Sequence, residues 1–121
     1  MVTMEGGNRV LPGLRVGSFN CNGLGNPNKR EIVLKWLKEK PEDIILLQEV
    51  HTTGDTEDDW MRLWQGDILF NHGRSNSTGV TFLFKRDTNV KICRHQVIVP
   101  SRTSLVEIEY ESVKYCITQL L

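Results

Sequence analysis

The first half of the chain alternates extended and helical patterns of apolar residues. Residues from Leu14 to Cys21 have the pattern of a strand, and a break from Gly23 to Pro27 ends it. A helix is predicted to begin between Asn26 and Asn28, because Asn caps free backbone amides and Pro27 suits the first helical position. Pro41 should stop this helix. Its apolar face is predicted to consist of Ile32, Val33, Trp36 and Leu37.

The segment from Asp43 to Glu49 is apolar throughout its middle, which is typical of a strand covered on both faces. It should be central to a sheet. A strand, a helix and a buried strand in succession predict a βαβ unit, whose right-handed crossover makes the two strands parallel. Both strands therefore end at the same edge of the sheet.

The second half of the chain consists of short segments with a strand pattern, separated by turn residues. Before it, the acidic segment from Thr52 to Arg62 predicts a short helix with negative charge at its favourable N-terminal end. Antiparallel hairpins are predicted from five strands: Asp67 to Asn71, Val80 to Phe84, Val90 to Val99, Ser104 to Tyr110 and Val113 to Leu120. The predicted fold class is therefore α/β.

The composition fits one globular domain of 121 residues, with 15 Lys and Arg balanced by 15 Asp and Glu. Zero net charge excludes a histone-like or general membrane-surface binder, so affinity for a polyanion must come from a local patch. Residues 1–13 are expected to be a flexible leader before a domain at residues 14–121. Without a signal-peptide or membrane-spanning pattern, an intracellular protein with no membrane partner is expected; nucleus or cytoplasm stays open.

Polar residues at the two strand ends could carry chemistry. Asn20 and Asn22 end the first strand, and Glu49 ends the buried one, so the three should converge in one pocket. One carboxylate beside neutral amides suits Mg²⁺, which would imply a phosphoester substrate. The alternative is that Glu49 is a hydrated strand-end carboxylate and that the Asn residues cap a tight turn.

A local basic patch follows the loop after Asn22. Lys29 and Arg30 lie near the predicted pocket and are candidates for phosphate contact. The alternative is that lysines on this helix simply form a solvated face. His72 and His95 match no motif and are interpreted as incidental.

Three strings occur in order along the chain: SFNCNGLGNPNKR, DIILLQEVHTT and SNSTGVTFLF. Together they resemble the amino-terminal half of the endonuclease/exonuclease/phosphatase superfamily, most closely the apurinic-type endonuclease domains of LINE-type retrotransposons. The resemblance covers Leu14 to the C-terminus. It implies part of a four-layer α/β sandwich that hydrolyses DNA phosphodiesters with Mg²⁺, or with Mn²⁺ in its place.

The resemblance also assigns roles to individual positions. Glu49 matches the family's metal-binding glutamate, and Asn20 matches the active-site asparagine that helps hold the scissile phosphate. Asn22 stands where many relatives have a metal-binding Asp, and its neutrality should weaken direct metal binding. Gln48 is expected to orient Glu49, with a simple backbone bond as the alternative. His51, in the QE-x-H pattern, is expected to be structural.

One departure from the family bears on activity. Relatives continue past the strand matching Val113 to Leu120 into a Tyr or Asn, an Asp-x-Asn and an Asp-His pair, whereas this sequence ends at Leu121. Without those groups, catalysis by this chain is expected to be incomplete, and an exposed sheet edge could pair with another chain. Two other functions stay open: a non-catalytic remnant or interaction module, and a phosphatase of the same superfamily.

Overall fold

The computed structural model describes residues 2–5, 13–73 and 78–120. Its elements, in chain order, are β1 (Val2–Glu5), β2 (Val16–Asn20), α1 (Pro27–Lys38), β3 (Ile44–Gln48), α2 (Glu57–Trp64), β4 (Asp67–Asn71), β5 (Val80–Phe84), β6 (Val90–Val99), β7 (Thr103–Tyr110) and β8 (Val113–Leu120). A short 3-10 turn, Gly54–Thr56, precedes α2.

Within the described residues the strands form two sheets. The first has the order β2-β3-β5-β4, and the second has the order β1-β8-β7-β6. β2 and β3 are parallel, as predicted for a βαβ unit, and every other neighbouring pair is antiparallel. The predicted α/β class is confirmed. The predicted hairpins are also present, but β5 pairs with β3 as well as with β4.

The central strand β3 joins two apolar cores. Its first four residues, 44–47, are completely buried, because one face of the first sheet packs on the second sheet and the other packs on the helices. Ile44 and Leu46 pack in the core between the sheets, where Phe82 and Ile108 also lie. Ile45 and Leu47 pack in the core beneath the helices. The result is three layers, consistent with part of a four-layer α/β sandwich.

Helix α1 begins where the sequence predicts. The side chain of Asn26 accepts hydrogen bonds from the backbone N–H groups of Asn28 and Lys29 at 2.9 and 3.1 Å, and Pro27 is the first helical residue. These bonds satisfy amides that the first turn of a helix leaves without an intrahelical partner.

The predicted apolar face of α1 is only partly right. Leu37 is buried, but Ile32 is 69% exposed and Trp36 is 47% exposed. The buried stripe is Arg30, Leu34 and Leu37, at the i, i+4, i+7 spacing of one helix face. Arg30 is absent from the predicted face because an arginine is rarely buried without a partner. Its partner, Asp59, lies on α2.

Helix α2 has the predicted acidic start. Glu57, Asp58 and Asp59 occupy its first turn, where negative charge is favourable. Among the described residues, neither helix combines the length and the apolarity needed to cross a membrane.

Residues 2–5 of the predicted leader lie within the described part of the chain. These residues form β1, which pairs antiparallel with β8 from Val2 opposite Gln119 to Glu5 opposite Cys116. A strand edge left open by β8 offers backbone hydrogen bonds to any extended segment, and the apolar pattern of the segment itself does not encode that pairing. The rest of the predicted leader, except Gly13, lies outside the described residues.

Candidate active site

Three strands of the first sheet finish at one edge, here called the carboxyl edge. β3 is parallel to β2. β5 runs opposite to both β3 and β4, so β4 points the same way as β3. Asn20, Gln48 and Asn71, the last residues of β2, β3 and β4, therefore lie at this edge together with Val80, the first residue of β5.

The loop after β2 is fastened to the chain after β3. The backbone N–H groups of Cys21, Gly23 and Leu24 donate to the carbonyls of Gln48, Glu49 and Val50 at 2.9, 2.6 and 2.9 Å. The parallel pairing of the two strands thus continues past their ends. It holds the loop that carries Asn22 beside the backbone of Glu49.

The backbone at this edge adopts conformations that side chains disfavour. Asn22, Glu49 and His51 have φ values of 52°, 54° and 53°. Asn tolerates this left-handed region, but for Glu and His it costs on the order of 1 kcal/mol or more. The strain persists because the fastened loops determine the backbone, and strain of this kind clusters at functional sites.

The Glu49 carboxylate is partly exposed and makes no hydrogen bond or ion pair within the described part of the chain. Asn20 is exposed, and its Oδ1 accepts from the Asn22 backbone N–H at 3.0 Å, so its amide nitrogen is uncommitted. The described residues contain no group of three His, Cys, Asp or Glu side chains arranged to hold a metal. The edge therefore carries one carboxylate without a partner in the described residues, together with the exposed amides of Asn20 and Asn22.

The side chain of Gln48 makes no hydrogen bond to Glu49 among the described residues. Instead, a residue that the sequence analysis missed supports this end of β3. Gln119 on β8 is completely buried and donates from Nε2 to the Leu47 carbonyl at 2.7 Å, linking the two sheets. Its signal in the sequence is a glutamine in the inward series of β8, after Tyr115 and Ile117.

Lys29 lies against the loop that carries Asn22. Its Nζ donates to the carbonyls of Cys21 and Asn22, both at 3.2 Å, so the ammonium sits at the carboxyl edge. Burial raises the pKa of the Cys21 thiol to about 12, although the positive charge of Lys29 opposes that rise. Cys21 is therefore a neutral thiol at physiological pH and not a nucleophile.

The predicted phosphate contact of Arg30 disagrees with its position. Arg30 is 3% exposed. Nε and Nη2 donate to the carbonyls of Leu24 and Gly25, each at 3.1 Å, and Nη1 pairs with the Asp59 carboxylate at 2.6 Å. Arg62 and Arg30 together hold the pKa of Asp59 below its usual range, through hydrogen bonds first and charge second. Arg30 braces the loop from inside and does not face a ligand.

Gly79 allows three segments to meet at the carboxyl edge. Its φ is 108°, and a Cβ there would lie 3.1 Å from the Gly73 backbone nitrogen and 3.2 Å from that of His51. Its carbonyl accepts from the Val50 N–H at 3.3 Å, and its N–H donates to the Ser101 carbonyl at 2.9 Å. Only glycine combines this φ with so close an approach.

The three histidines differ in surroundings. His72 stacks on Phe70, with its Nδ1 2.8 Å from the Thr52 hydroxyl and its Nε2 2.5 Å from the Glu57 carboxylate. It ties β4 to α2 and is structural rather than incidental. His95 packs edge-on against Phe82, and burial lowers its pKa, so it is neutral at pH 7. The backbone N–H of His51 donates to the Thr78 carbonyl at 3.0 Å.

Comparison with known proteins gives two matches. The model of the Endonuclease/Exonuclease/phosphatase family matches residues 17–113. Over 89 residues the chain is 33% identical to the "Transposon TX1 uncharacterized 149 kDa protein" of Xenopus laevis. That match covers 74% of this chain and 7% of the relative, so the chain spans a small part of the length of the protein that it resembles.

Proposed function

The chain belongs to the endonuclease/exonuclease/phosphatase family, and on this premise we propose that its carboxyl edge takes part in metal-dependent hydrolysis of DNA phosphodiester bonds, as part of a retrotransposon-type endonuclease. The observation that carries the proposal is the Glu49 carboxylate, which has no partner in the described residues and is held in a strained backbone beside the Asn22 loop.

The donor set fits Mg²⁺, or Mn²⁺ in its place. The family generally uses divalent metals. Mg²⁺ keeps most of its waters and takes one or two carboxylates plus phosphate oxygens from the substrate. One free carboxylate without a surrounding cage of acids matches that requirement. Glu49 would be the main ligand, and the side-chain amide oxygen (Oδ1) of Asn22 would be a weaker one. The metal would supply charge stabilisation at the phosphate.

Asn20 and Lys29 supply the groups that would hold the phosphate. The Asn20 Oδ1 already accepts a bond from Asn22, which fixes its amide and leaves Nδ2 to donate to a phosphate oxygen. Lys29 keeps a fixed position through two carbonyls and has one further N–H to donate. An ammonium group beside the scissile phosphate stabilises the negative charge that develops in the transition state.

DNA is favoured over a small phosphate ester as the substrate. The relative that matches most of this chain is a transposon protein, and transposition requires cutting of DNA. The carboxyl edge is also an open rim rather than an enclosed pocket, since Asn20, Asn22 and Lys29 are all exposed. An open rim can accept a phosphate within a polymer.

A plasmid-nicking assay tests the proposal. Supercoiled plasmid is incubated with Mg²⁺ and either wild type, Glu49→Gln or the matched control Asp87→Asn, which neutralises an exposed acid outside this edge. We expect slow nicking, because the described residues contain no group of three His, Cys, Asp or Glu side chains arranged to hold a metal. Glu49→Gln should reduce it by about 10²-fold or more, and Asp87→Asn should leave it unchanged. Equal nicking by wild type and Glu49→Gln would contradict the proposal.

A non-catalytic module is the second candidate, favoured by the open edge of β2. Within the described residues β2 pairs only with β3, so its other side offers unpaired backbone groups. Another chain that adds a strand there would bring further side chains close to Asn20. Complete absence of nicking by folded wild type, together with self-association, would favour this candidate.

A further inference from the structure

Two buried polar residues lie between the sheets, on the neighbouring strands β7 and β8. Ser104 and Gln119 are directly opposite each other in the antiparallel register of these strands. They are 1% and 0% exposed. Because side chains alternate along a strand, both lie on the same face as Val106 and Ile117, which pack in the core between the sheets. We call Ser104 and Gln119 the inter-sheet pair.

Each member of the inter-sheet pair has a buried oxygen without a partner. Gln119 uses its Nε2 on the Leu47 carbonyl, but its Oε1 accepts no hydrogen bond from any described residue. The Ser104 Oγ has no partner in the described residues either. Directly opposite residues of an antiparallel pair have Cβ atoms about 4.5 to 5.5 Å apart. The two oxygens therefore belong to neighbouring side chains in an apolar core, where an unpaired polar atom is costly.

A second buried amide, at the carboxyl edge, has no such deficit. Asn71 is 4% exposed. Its Nδ2 donates to the carbonyls of Val99 and Thr103 at 3.1 and 3.2 Å, and its Oδ1 accepts from the Ser101 N–H at 2.6 Å. Buried amides in folded proteins are normally bonded in this way. The Oε1 of Gln119 therefore requires a donor other than the groups of the described residues.

A water molecule has the hydrogen-bonding capacity that the inter-sheet pair requires. The Gln119 Oε1 can only accept, whereas the Ser104 hydroxyl can both donate and accept. Water can donate to the first oxygen and share a hydrogen bond with the second. Buried waters bridge otherwise unsatisfied groups of this kind, about one for every 27 residues of a globular protein. A metal ion is a poor alternative, because both oxygens are neutral.

We propose that Ser104 and Gln119 bind one internal water between the sheets, and that Gln119, fixed by this water, positions the segment that carries Glu49. The positioning role rests on the proposed function, whereas the water site does not. With its Oε1 held by water, the Gln119 amide has one orientation, and its Nε2 stays on the Leu47 carbonyl at 2.7 Å. Glu49 follows two residues later, in a backbone with a φ of 54°.

This link bears on cation binding because it spans the two sheets. Gln119 lies on β8 in the second sheet, and Leu47 lies on β3 in the first. A fixed Leu47 carbonyl sets where the strained backbone of Glu49 begins. A metal ligand must be held to within about 0.5 Å of its working position. Loss of a group that orients a ligand from behind lowers metal affinity by about 10- to 100-fold.

Two NMR measurements on folded protein test the inference. The first records cross-relaxation between water protons and the side-chain amide protons of Gln119. The second is an Mn²⁺ titration that gives the Kd from the broadening of residues 48–51. Both are made on wild type, Gln119→Met and Ser104→Ala, except that Gln119→Met has no side-chain amide to observe. Glu49→Gln shows whether the Mn²⁺ site depends on the carboxylate, and circular dichroism establishes that each variant is folded.

Thr81→Val is the matched control. Thr81 is also completely buried, with a hydroxyl that has no partner in the described part of the chain, and it is opposite Leu47 in the register of β3 and β5. By strand alternation, however, its side chain lies on the face of Leu83, which packs beneath the helices. The control therefore deletes an unpaired buried hydroxyl next to β3 without touching the inter-sheet pair.

We expect a water contact at the Gln119 amide of wild type that Ser104→Ala abolishes and Thr81→Val retains. Gln119→Met should raise the Kd for Mn²⁺ by about tenfold or more. Ser104→Ala should raise it by a smaller factor, because it removes the water and leaves the bond to Leu47 in place. If Gln119→Met does not fold, Ser104→Ala decides the test alone.

Three results would overturn the inference: no water contact at Gln119 in folded wild type, an unchanged Kd for Mn²⁺ in folded Gln119→Met and Ser104→Ala, or equal weakening by these variants and Thr81→Val. An unchanged Kd together with Mn²⁺ binding that Glu49→Gln abolishes would refute the positioning role and leave the proposed function standing. A water contact at Gln119 in a wild type that binds no Mn²⁺ at residues 48–51 would refute the proposed function and support the water site.

Discussion

At the start of β3, Asp43 is bound into the fold through its side chain and its backbone, whereas at the end of β3 Glu49 is held by its backbone alone. The Asp43 carboxylate accepts from the Arg15 N–H at 2.9 Å, and its carbonyl accepts from the Lys85 N–H at 2.9 Å. The Glu49 carbonyl accepts from Gly23, but its carboxylate has no partner among the described residues. The same kind of side chain is structural at one end of the sheet and available for a ligand at the other.

The contrast extends to the groups around each acid. Near Asp43, Lys85 donates to the Lys40 carbonyl and Trp64 donates to the Phe84 carbonyl at 2.9 Å. A cavity of about 320 Å³ lies there, but both of its lysines already bond within the fold, Lys85 to the Lys40 carbonyl and Lys38 to the Gln65 side-chain oxygen. At the carboxyl edge the backbone is strained at Asn22 and Glu49, and the Asn20 and Asn22 side chains are exposed. Polar groups that lack a partner within the described residues therefore locate the candidate site better than the size of a cavity does.

The largest effect should come from the buried brace behind the carboxyl edge. Arg30→Ala removes the donors to the Leu24 and Gly25 carbonyls and the partner of Asp59. It should lower the free energy of unfolding by about 2 to 4 kcal/mol, because orphaned buried acceptors lose their solvation without compensation. Urea denaturation measures the change. Lys35→Ala, exposed on the same helix, should stay within about 0.5 kcal/mol; equal effects would mean that Arg30 is not a brace.

A smaller difference should separate Asp43 and Glu49, the two acids that flank β3. Asp43→Ala should lower the free energy of unfolding by about 1 kcal/mol, the contribution of one lost hydrogen bond to a charged acceptor at a partly exposed site. Glu49→Gln should change it by less than about 0.5 kcal/mol, because the Glu49 carboxylate stabilises nothing within the described fold. Denaturation of both variants at one pH makes the comparison. A larger loss for Glu49→Gln than for Asp43→Ala would reverse the roles assigned to the two ends.

The sequence predicts the βαβ unit because its signals are local. Asn26 and Pro27 define the start of α1, and the apolar run of β3 can be buried only in the middle of a sheet. The shared edge of Asn20 and Gln48, the last residues of β2 and β3, then follows from the parallel pairing of the two strands. Once the strands are parallel, their ends share an edge whatever the rest of the chain does.

The remaining features depend on partners that are distant in sequence. Arg30 is buried because Asp59, on another helix, pairs with it, whereas a pattern of apolar residues alone leaves an arginine out of the predicted core. β1 forms because β8 offers an edge, and β5 joins the first sheet because β3 does. Gln119 and Asn71 gain their roles from carbonyls on other strands. Local patterns carry no information on these long-range contacts.

Localisation of a bound cation tests the central claim most directly. Mn²⁺ replaces Mg²⁺ in such sites and broadens the NMR signals of nearby amides, so a titration followed by two-dimensional NMR maps where the ion binds. We predict broadening centred on residues 20–23 and 48–51, abolished by Glu49→Gln and retained in Asp87→Asn. Broadening centred on residues 85–88, or a pattern that Glu49→Gln leaves unchanged, would contradict the account.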